Sequence, residues 1–297
     1  MNRITARPLI FGEVLFDCFP DGKNVLGGAP FNVAWNLQAF GLEPVFVSRV
    51  GNDSLGHDIR GAMKTWGMDT SQLQVDSSRP TGTVQIQFFN GEPHYEILPE
   101  RAYDFISAQM CETIPEPALI YHGSLALRNA PSRTALAGLK ARFSSPVFVD
   151  VNLRAPWWEK TDVIRMLQHV RWCKLNEDEL AILCSEKSGI EDRSALLQEK
   201  CDIDLLVVTR GSAGALARQK SGEIHEVRPA PGLSIVDTVG AGDAFSSVLV
   251  LGLMGGWSLP LILERAQAFA SACIGMRGAT VRDRLFYQPF VDAWDLS

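Results

Sequence analysis

The sequence predicts an α/β protein built on a mostly parallel, doubly wound sheet, and three observations carry that expectation. Short apolar runs of strand length alternate with stretches of helix length, the pattern that places parallel strands between covering helices. Polar residues and glycines collect just past the apolar runs, where open α/β sheets hold their ligands. The 297 residues are 46% hydrophobic and 21% charged, an ordinary globular balance with ample core, and no repeat or low-complexity segment interrupts them. A single domain over residues 1–297 is therefore expected.

Taken in order, Leu9-Ile-Phe-Gly-Glu-Val-Leu-Phe16 reads as the first buried strand, with Asp17 at its end before a Pro20-Asp-Gly-Lys23 turn. Gly27-Gly-Ala-Pro-Phe-Asn32 then supplies permissive backbone and a proline at a helix start, and the helix stops at Gly41. Asn32 and Asn36 share one face of it; capping and solvation are the ordinary fate of such residues, and the preceding glycines favour ligand contact. Pro44-Val-Phe-Val-Ser-Arg-Val50 is a second buried strand, followed by Gly51-Asn-Asp-Ser-Leu-Gly56 and a helix that Gly67 ends. Residues 81–89 alternate in polarity, Asn90-Gly91 is a two-residue turn, and a second strand runs to Leu98. This half-exposed hairpin belongs over one edge of the sheet rather than in its core.

The α/β rhythm resumes with a strand at 118–122, a helix at 132–143 and a strand at 146–150, past which lie Asn152 and Arg154. A strand at 170–175 leads to Asn176-Glu-Asp-Glu179, which opens a helix to Cys184; a helix at 193–200 and a strand at 204–209 follow. Gly211-Ser-Ala-Gly214 and Ser221-Gly-Glu223 mark a further hairpin, and two helices, 240–254 and 259–274, are apolar nearly all round and so should be buried.

A net charge of −6 without any run of Lys or Arg argues against a nucleic-acid surface. The six cysteines form no CxxC and have no histidine at zinc spacing, which suits free thiols in a reducing compartment. No segment is apolar for long enough to span a membrane and the first residues lack a signal-peptide pattern, so a cytoplasmic protein without a membrane partner is expected. GxSxG, HExxH and GxxxxGK[ST] are absent.

Chemistry is expected in residues 234–253. Gly240 and Gly242 permit close backbone approach, and the first-turn amides of the following helix have no intrahelical acceptor, so together they offer an anion site. Asp243 lies in that turn, where the helix dipole favours its charged form. A carboxylate that accepts a proton beside donors that hold a negative oxygen fits phosphoryl transfer. An isolated Gly-x-Gly-Asp is more often a tight turn with a capping Asp237 and a surface acid. Here the whole string Asp237-Thr-Val-Gly-Ala-Gly-Asp-Ala-Phe245 matches DTxGAGDxF, so the chain resembles the ribokinase-like (phosphofructokinase B-type) carbohydrate kinases.

The resemblance extends along the chain. Gly27-Gly-Ala-Pro-Phe-Asn32 with Val50-Gly-Asn-Asp-Ser-Leu-Gly56 looks like the family's N-terminal signature, Asn176 and Glu179 its NxxE element, and Thr209-Arg-Gly-Ser-Ala-Gly214 its TxGxxG turn. It implies a ribokinase-like three-layer sandwich with a small β-lid, formed by about 13–30 and 81–104, over a sugar. It implies that Asp243 takes the proton from the attacking sugar hydroxyl and that Gly240, Ala241 and Gly242 form the anion hole. Asp17, Gly27, Gly28 and Asn32 match sugar-contacting positions, and Asn176 and Glu179 match the element that organises Mg²⁺ through its waters. Thr209, Gly211, Gly214 and the segment around 273–280, Gly278 included, match the wall of the ATP site. ATP and Mg²⁺ are thus implied, and K⁺ near the anion hole is common in the family. The hairpin's alternating face needs sugar or a second subunit to bury it, which makes a homodimer through the lid an expected assembly.

Within the family, Gly12-Glu-Val-Leu-Phe-Asp17, the Gly-Gly-Ala-Pro-x-Asn helix entry and Asp150-Val-Asn-Leu-Arg154 look most like bacterial fructokinases, so fructose is the expected substrate, with Asn152 and Arg154 near the sugar or phosphate. One position departs. Those enzymes usually place an arginine in the lid-proximal strand, where this chain has Pro99 with Arg101 shifted, and Arg101 is retained as a sugar-contact candidate. Kinases of 2-keto-3-deoxygluconate, ribose or a riboside use the same frame. Two other classes are weighed. A dinucleotide oxidoreductase would need a third glycine and a strand-end acid at the proper distance, both missing here. A non-catalytic sugar sensor is opposed by intact Asp243, Asn176 and Glu179.

Overall fold

Each strand sends successive side chains to opposite faces, and where both sets are apolar the sheet must be covered twice. The computed structural model describes residues 6–89, 92–111, 113–232, 236–276 and 278–296, and it shows that double cover. Ile10, Phe46, Tyr121, Phe148 and Val207 enter one core, while Leu9, Phe11, Val47, Val149 and Val208 enter the other.

The nine-stranded sheet runs in the order β13 (Ile224–Val227), β12 (Ala215–Gln219), β11 (Leu205–Thr209), β10 (Trp172–Asn176), β9 (Val147–Asp150), β8 (Ile120–His122), β1 (Leu9–Phe11), β4 (Val45–Gly51) and β5 (Leu73–Asp76). All pairings from β11 to β5 are parallel; β12 and β13 add an antiparallel edge. The first core packs the sheet against α1 (Ala29–Ala39), α2 (Ser54–Trp66), α7 (Ala241–Met254), α8 (Leu259–Cys273) and α9 (Arg284–Ala293). The second packs it against α3 (Ala130–Arg142), α4 (Lys160–Met166), α5 (Glu177–Leu183) and α6 (Ile190–Cys201). Layers of helix, sheet and helix result.

A four-stranded sheet stands apart, in the order β3 (Asn24–Gly27), β2 (Leu15–Cys18), β6 (Gly82–Phe89) and β7 (Glu92–Ile97). The expected single strand over 9–16 is therefore two strands in two sheets. Gly12 is the reason: its φ is +151°, and a Cβ there would overlap Cγ of Pro30 in the first turn of α1, so the chain turns where only glycine fits. Asp17 accordingly lies inside β2, opposite Val25 and Val84, instead of at a strand end. The Asn90-Gly91 turn lies outside the described residues. β5, α4 and α9 have no counterpart in the sequence reading; β5 is four residues long and α9 carries Pro289 inside it.

Both strands of the β6–β7 hairpin are tied to the main body. Asp53 caps α2 by accepting from Gly56 N and also accepts from Thr81 N at 2.8 Å and Thr81 Oγ1 at 2.6 Å. At the same open end, where β7 leaves the hairpin, Arg128 grips Asp104 through two bonds of 2.7 Å and donates to Leu98 O at 2.7 Å. Such a buried, bidentate pair costs about 3–5 kcal/mol when one partner is removed.

Candidate active site

The parallel strands all end at one edge of the sheet, and the candidate residues gather there. α7 sets the floor. Its apolar body, Phe245, Val248, Leu249 and Leu251 among it, is buried in the first core, so its N-terminus has a fixed address. Gly240 is the N-cap with φ +82°, and a Cβ there would overlap Ala279 Cβ; one on Gly242 would stand 3.2 Å from Lys174 Nζ. The first-turn amides have no intrahelical acceptors, and that of Ala241 donates to Thr238 O in the preceding loop at 3.3 Å.

Asp243 sits in that turn, half-buried, and its Oδ2 accepts from Asn32 Nδ2 at 2.7 Å. Asn32 is buried on α1, so two helices far apart in sequence hold the carboxylate. Burial pushes Asp243 up from 3.8 to about 6, against the pull of the Asn32 bond. Asp17, half-buried in β2, is likewise raised by burial to about 6, with Arg154 opposing. Gly27, paired with Leu15 on the neighbouring strand, leaves room beside it, since a Cβ there would be 3.9 Å from Asp17 Oδ2; Gly28, at φ +109°, packs on the Glu13 carbonyl.

Glu13 was not among the sequence candidates. It is 3% exposed, its Oε2 has no partner, and burial lifts it from 4.5 to about 7. Arg154 favours the ionised form of Glu13, Asp17 and Asp243 alike, so one exposed guanidinium serves three carboxyl groups. Asn152, at φ +40°, begins the same turn, and its carbonyl accepts from Ser124 Oγ at 3.2 Å.

Beneath lies a second set that the sequence did not mark as a unit. Asp150 Oδ2 accepts from Ser246 Oγ at 2.7 Å, Lys174 Nζ at 2.9 Å and Tyr121 Oη at 3.1 Å, all four residues buried. Lys174 also donates to Gly242 O at 3.3 Å, tying this network to the start of α7. Burial presses the ammonium down, but Asp150 more than compensates and holds it above its usual range. A lysine in the middle of a buried strand was the available signal, since such residues are rarely buried without a partner.

Asn176 and Glu179 form a reciprocal capping box on α5: Asn176 Oδ1 accepts from Glu179 N and Glu179 Oε2 from Asn176 N, each at 2.8 Å. Glu179 Oε1 accepts from Leu153 N at 2.6 Å, which fixes the turn bearing Asn152 and Arg154. Burial raises Glu179 above the usual carboxylate range. Among the described residues no cluster of three or more His, Cys, Asp or Glu could hold a metal directly. The side-chain oxygens of Asn176 and Glu179 are taken up by backbone amides, while Oδ1 of Asp150 is buried and has no partner among the described residues.

Thr209 ends β11 beside Asn176, and Gly211 turns the chain at φ +55°. Gly214 has a structural demand of its own, because a Cβ there would overlap the Val227 carbonyl. Gly278 N donates to Asp237 Oδ2 at 3.0 Å, while Asp237 Oδ1 accepts from Val239 N; Asp237 braces the turn, and the N-cap of α7 is Gly240. Two asparagine and arginine candidates sit elsewhere. Asn36 accepts from Tyr287 Oη at 2.8 Å in the core, and Arg101 opens a short helix whose Asp104 accepts from its backbone amide. Arg101 lies beside Tyr103, without a hydrogen bond to Asp17, Asn32 or Asp243 among the described residues.

A fructokinase from Klebsiella pneumoniae is 31% identical over 258 residues, 82% of this chain and 83% of that protein. An aminoimidazole riboside kinase from Salmonella typhimurium is 29% identical over 95% of this chain and 92% of its own length. The crystal structure of a Vibrio cholerae O395 fructokinase double mutant, bound to fructose, ADP and potassium ion, superposes with a TM-score of 0.81 at 25% identity, covering 95% of this chain and 97% of that one. Residues 14–283 match the pfkB family carbohydrate kinase model, a span that holds the site described above except Glu13, which immediately precedes it, and the chain therefore belongs to that family and is a carbohydrate kinase of ribokinase-like fold.

Proposed function

We propose that this kinase moves the γ-phosphoryl group of ATP onto a hydroxymethyl group of a small sugar, fructose first. Asp243 carries the reading: a carboxylate at the mouth of α7, oriented by Asn32 and displaced to about 6, is ionised at neutral pH yet close enough in affinity to accept a hydroxyl proton. The α7 amides and dipole beside it favour negative charge on the transferring group. Gly240 and Gly242 let that backbone approach closely, with Ala241 between them.

The sugar would lie between β2, β3 and α1, against Asp17, Gly27, Gly28 and Asn32, with Asn152 and Arg154 closing one side. Glu13, near half-protonation at pH 7, can donate from Oε2 to a sugar oxygen that Asp17 cannot serve. ATP would lie along Thr209, Gly211 and Gly278. Mg²⁺ bound with it would neutralise phosphate charge, and Asn176 and Glu179 would order its waters. Potassium is supported by the V. cholerae relative, and Asp237 offers a hard oxygen at the adjoining turn.

The four-stranded sheet would act as a lid. It reaches the nucleotide side already, since Val25 Cγ1 is 3.8 Å from where a Cβ on Gly278 would stand. Phe88 and Tyr95 on its hairpin are 54% and 55% exposed, which supports burial against a second copy. Six free thiols suit a reducing cytoplasm.

The Salmonella riboside kinase keeps a riboside as the second reading, and Arg101, placed beside Tyr103, gives fructose no extra support. ADP release measured over fructose, ribose, 2-keto-3-deoxygluconate and aminoimidazole riboside tests the choice. Fructose is expected to show the highest kcat/KM. A riboside better by more than about tenfold replaces the proposal, because buried polar groups matched to one sugar discriminate at least that strongly against another.

A further inference from the structure

A cavity of about 560 Å³, whose lining does not include Asp243, lies between α3, α4 and the loop 151–159. That is within the range of pockets that enclose small organic ligands. Trp157, Trp158, Leu136 and Met166 give it broad apolar walls. Four cationic side chains line it against two carboxylates; Arg165 is paired with Asp162 at 2.6 Å and Arg128 with Asp104 at 2.7 Å, which leaves Arg133 and Lys140 against Glu159.

Three polar groups there are uncommitted. His122, at the end of β8, is 1% exposed, and its Nδ1 lies 3.0 Å from the Gly123 carbonyl. A carbonyl only accepts, so Nδ1 carries the proton and Nε2 presents a lone pair, for which the described residues supply no donor. Burial and the nearby Lys140 charge drive this ring down to about 3, so it stays neutral at physiological pH. Arg128 spends Nε and Nη2 on Asp104, and its buried Nη1 has no partner. Lys140, half-buried, has no ion-pair partner among the described residues. A buried polar group left unpaired costs about 1–3 kcal/mol, and native structures seldom gather several without something to satisfy them.

We infer that this cavity is a second ligand site, for a hydroxylated organic anion of the sugar-phosphate class, with the anionic group at Lys140. Small side-chain movements bring Arg128 Nη1 and His122 Nε2, both buried in the wall, to the ligand's oxygens, a hydroxyl donating to the histidine. The tryptophan walls suit the flat C–H face of a sugar ring. The site also shares a turn with the catalytic edge. Trp157 N donates to Arg154 O at 2.8 Å, and Ser124, which lines the cavity, bonds the Asn152 carbonyl. An occupant that orders Trp157 therefore fixes Arg154, whose charge bears on Asp17 and Asp243. Occupancy is placed to alter sugar affinity from the far side of one turn, whichever sugar the kinase takes.

Isothermal titration of the intact protein with fructose 6-phosphate, in the presence of saturating fructose and ADP, tests the inference, with inorganic phosphate as the comparison probe. One saturable site per chain is expected, retained in Asp17→Asn and weakened by about tenfold or more in Lys140→Gln and in His122→Phe, the loss of roughly one charge-assisted hydrogen bond. Inorganic phosphate should bind about tenfold more weakly, since it cannot fill the walls and the histidine contact together. Lys140→Gln changes a half-buried side chain and keeps the test valid if His122→Phe fails to fold. No saturable binding, loss of binding in Asp17→Asn, or binding undiminished in Lys140→Gln overturns the second site; inorganic phosphate binding as tightly as the sugar phosphate overturns its assignment to a hydroxylated ligand.

Discussion

Replacing Glu13 by Gln is expected to stabilise the protein above neutral pH and to flatten part of its pH dependence. The carboxyl is 3% exposed, and burial raises it from 4.5 to about 7. Below 4.5 the group is neutral in the folded and unfolded chain alike, and its contribution to stability is complete. Between there and about 7 the unfolded chain ionises while the folded one holds its proton, so stability is lost as pH rises through that window. Each pH unit of displacement is worth about 1.4 kcal/mol, which makes the full loss about 3 kcal/mol. Glutamine has nearly the same shape, retains the acceptor toward Ala29 and does not titrate. Urea denaturation of both proteins at pH 5 and pH 8 should show the variant gaining about 2–3 kcal/mol on the wild type between the two. Asp17 and Asp243 titrate in the same range in both proteins, so only the difference between the two curves is read. A gap that stays constant with pH would mean that Glu13 is ionised in the folded state and that its burial is compensated by Arg154.

Asp243→Asn should lower kcat by about 10²–10⁴-fold with little change in sugar affinity, and wild-type kcat/KM should fall below about pH 6 as the base protonates; turnover near wild type removes Asp243 from that role. Lys174→Met strands Asp150 as a buried unpaired charge and should cost about 3–5 kcal/mol in urea unfolding, much of it restored by adding Asp150→Asn; a loss below about 1 kcal/mol would show the pair to be weakly coupled. Glu179→Gln should raise the Mg²⁺ concentration for half-maximal rate, and an unchanged titration leaves Glu179 as a cap and loop brace alone. ATP should be hydrolysed negligibly without sugar, and hydrogen exchange over residues 81–98 should slow when a phosphorylated sugar is added; exchange indifferent to every such sugar makes the hairpin a fixed element.

What the sequence determined by itself is local. The start of α7 was legible because the glycines, the acid and the apolar helix that anchors them are contiguous, and so was the helix opening at Asn176-Glu-Asp-Glu179, although the reciprocal bonds of its capping box came only with the structure. The strand and helix rhythm was legible for the same reason, since period and punctuation are properties of a window. The rest depends on contacts between distant segments. The break at Gly12 is imposed by Pro30, and nothing within the apolar run 9–16 announces it. Glu13 becomes a site residue only when β1 ends beside α1 and brings it to Arg154 and Asp243. Asp150, Lys174, Tyr121 and Ser246 come from four elements and mean little separately; the fold buries them together, and burial is what makes their charges and hydroxyls seek one another. His122 and Lys140 face one cavity for the same reason. A side chain's type is written in the sequence, but its dielectric surroundings and its partners exist only after the chain has closed, and those set how strongly each group holds its proton.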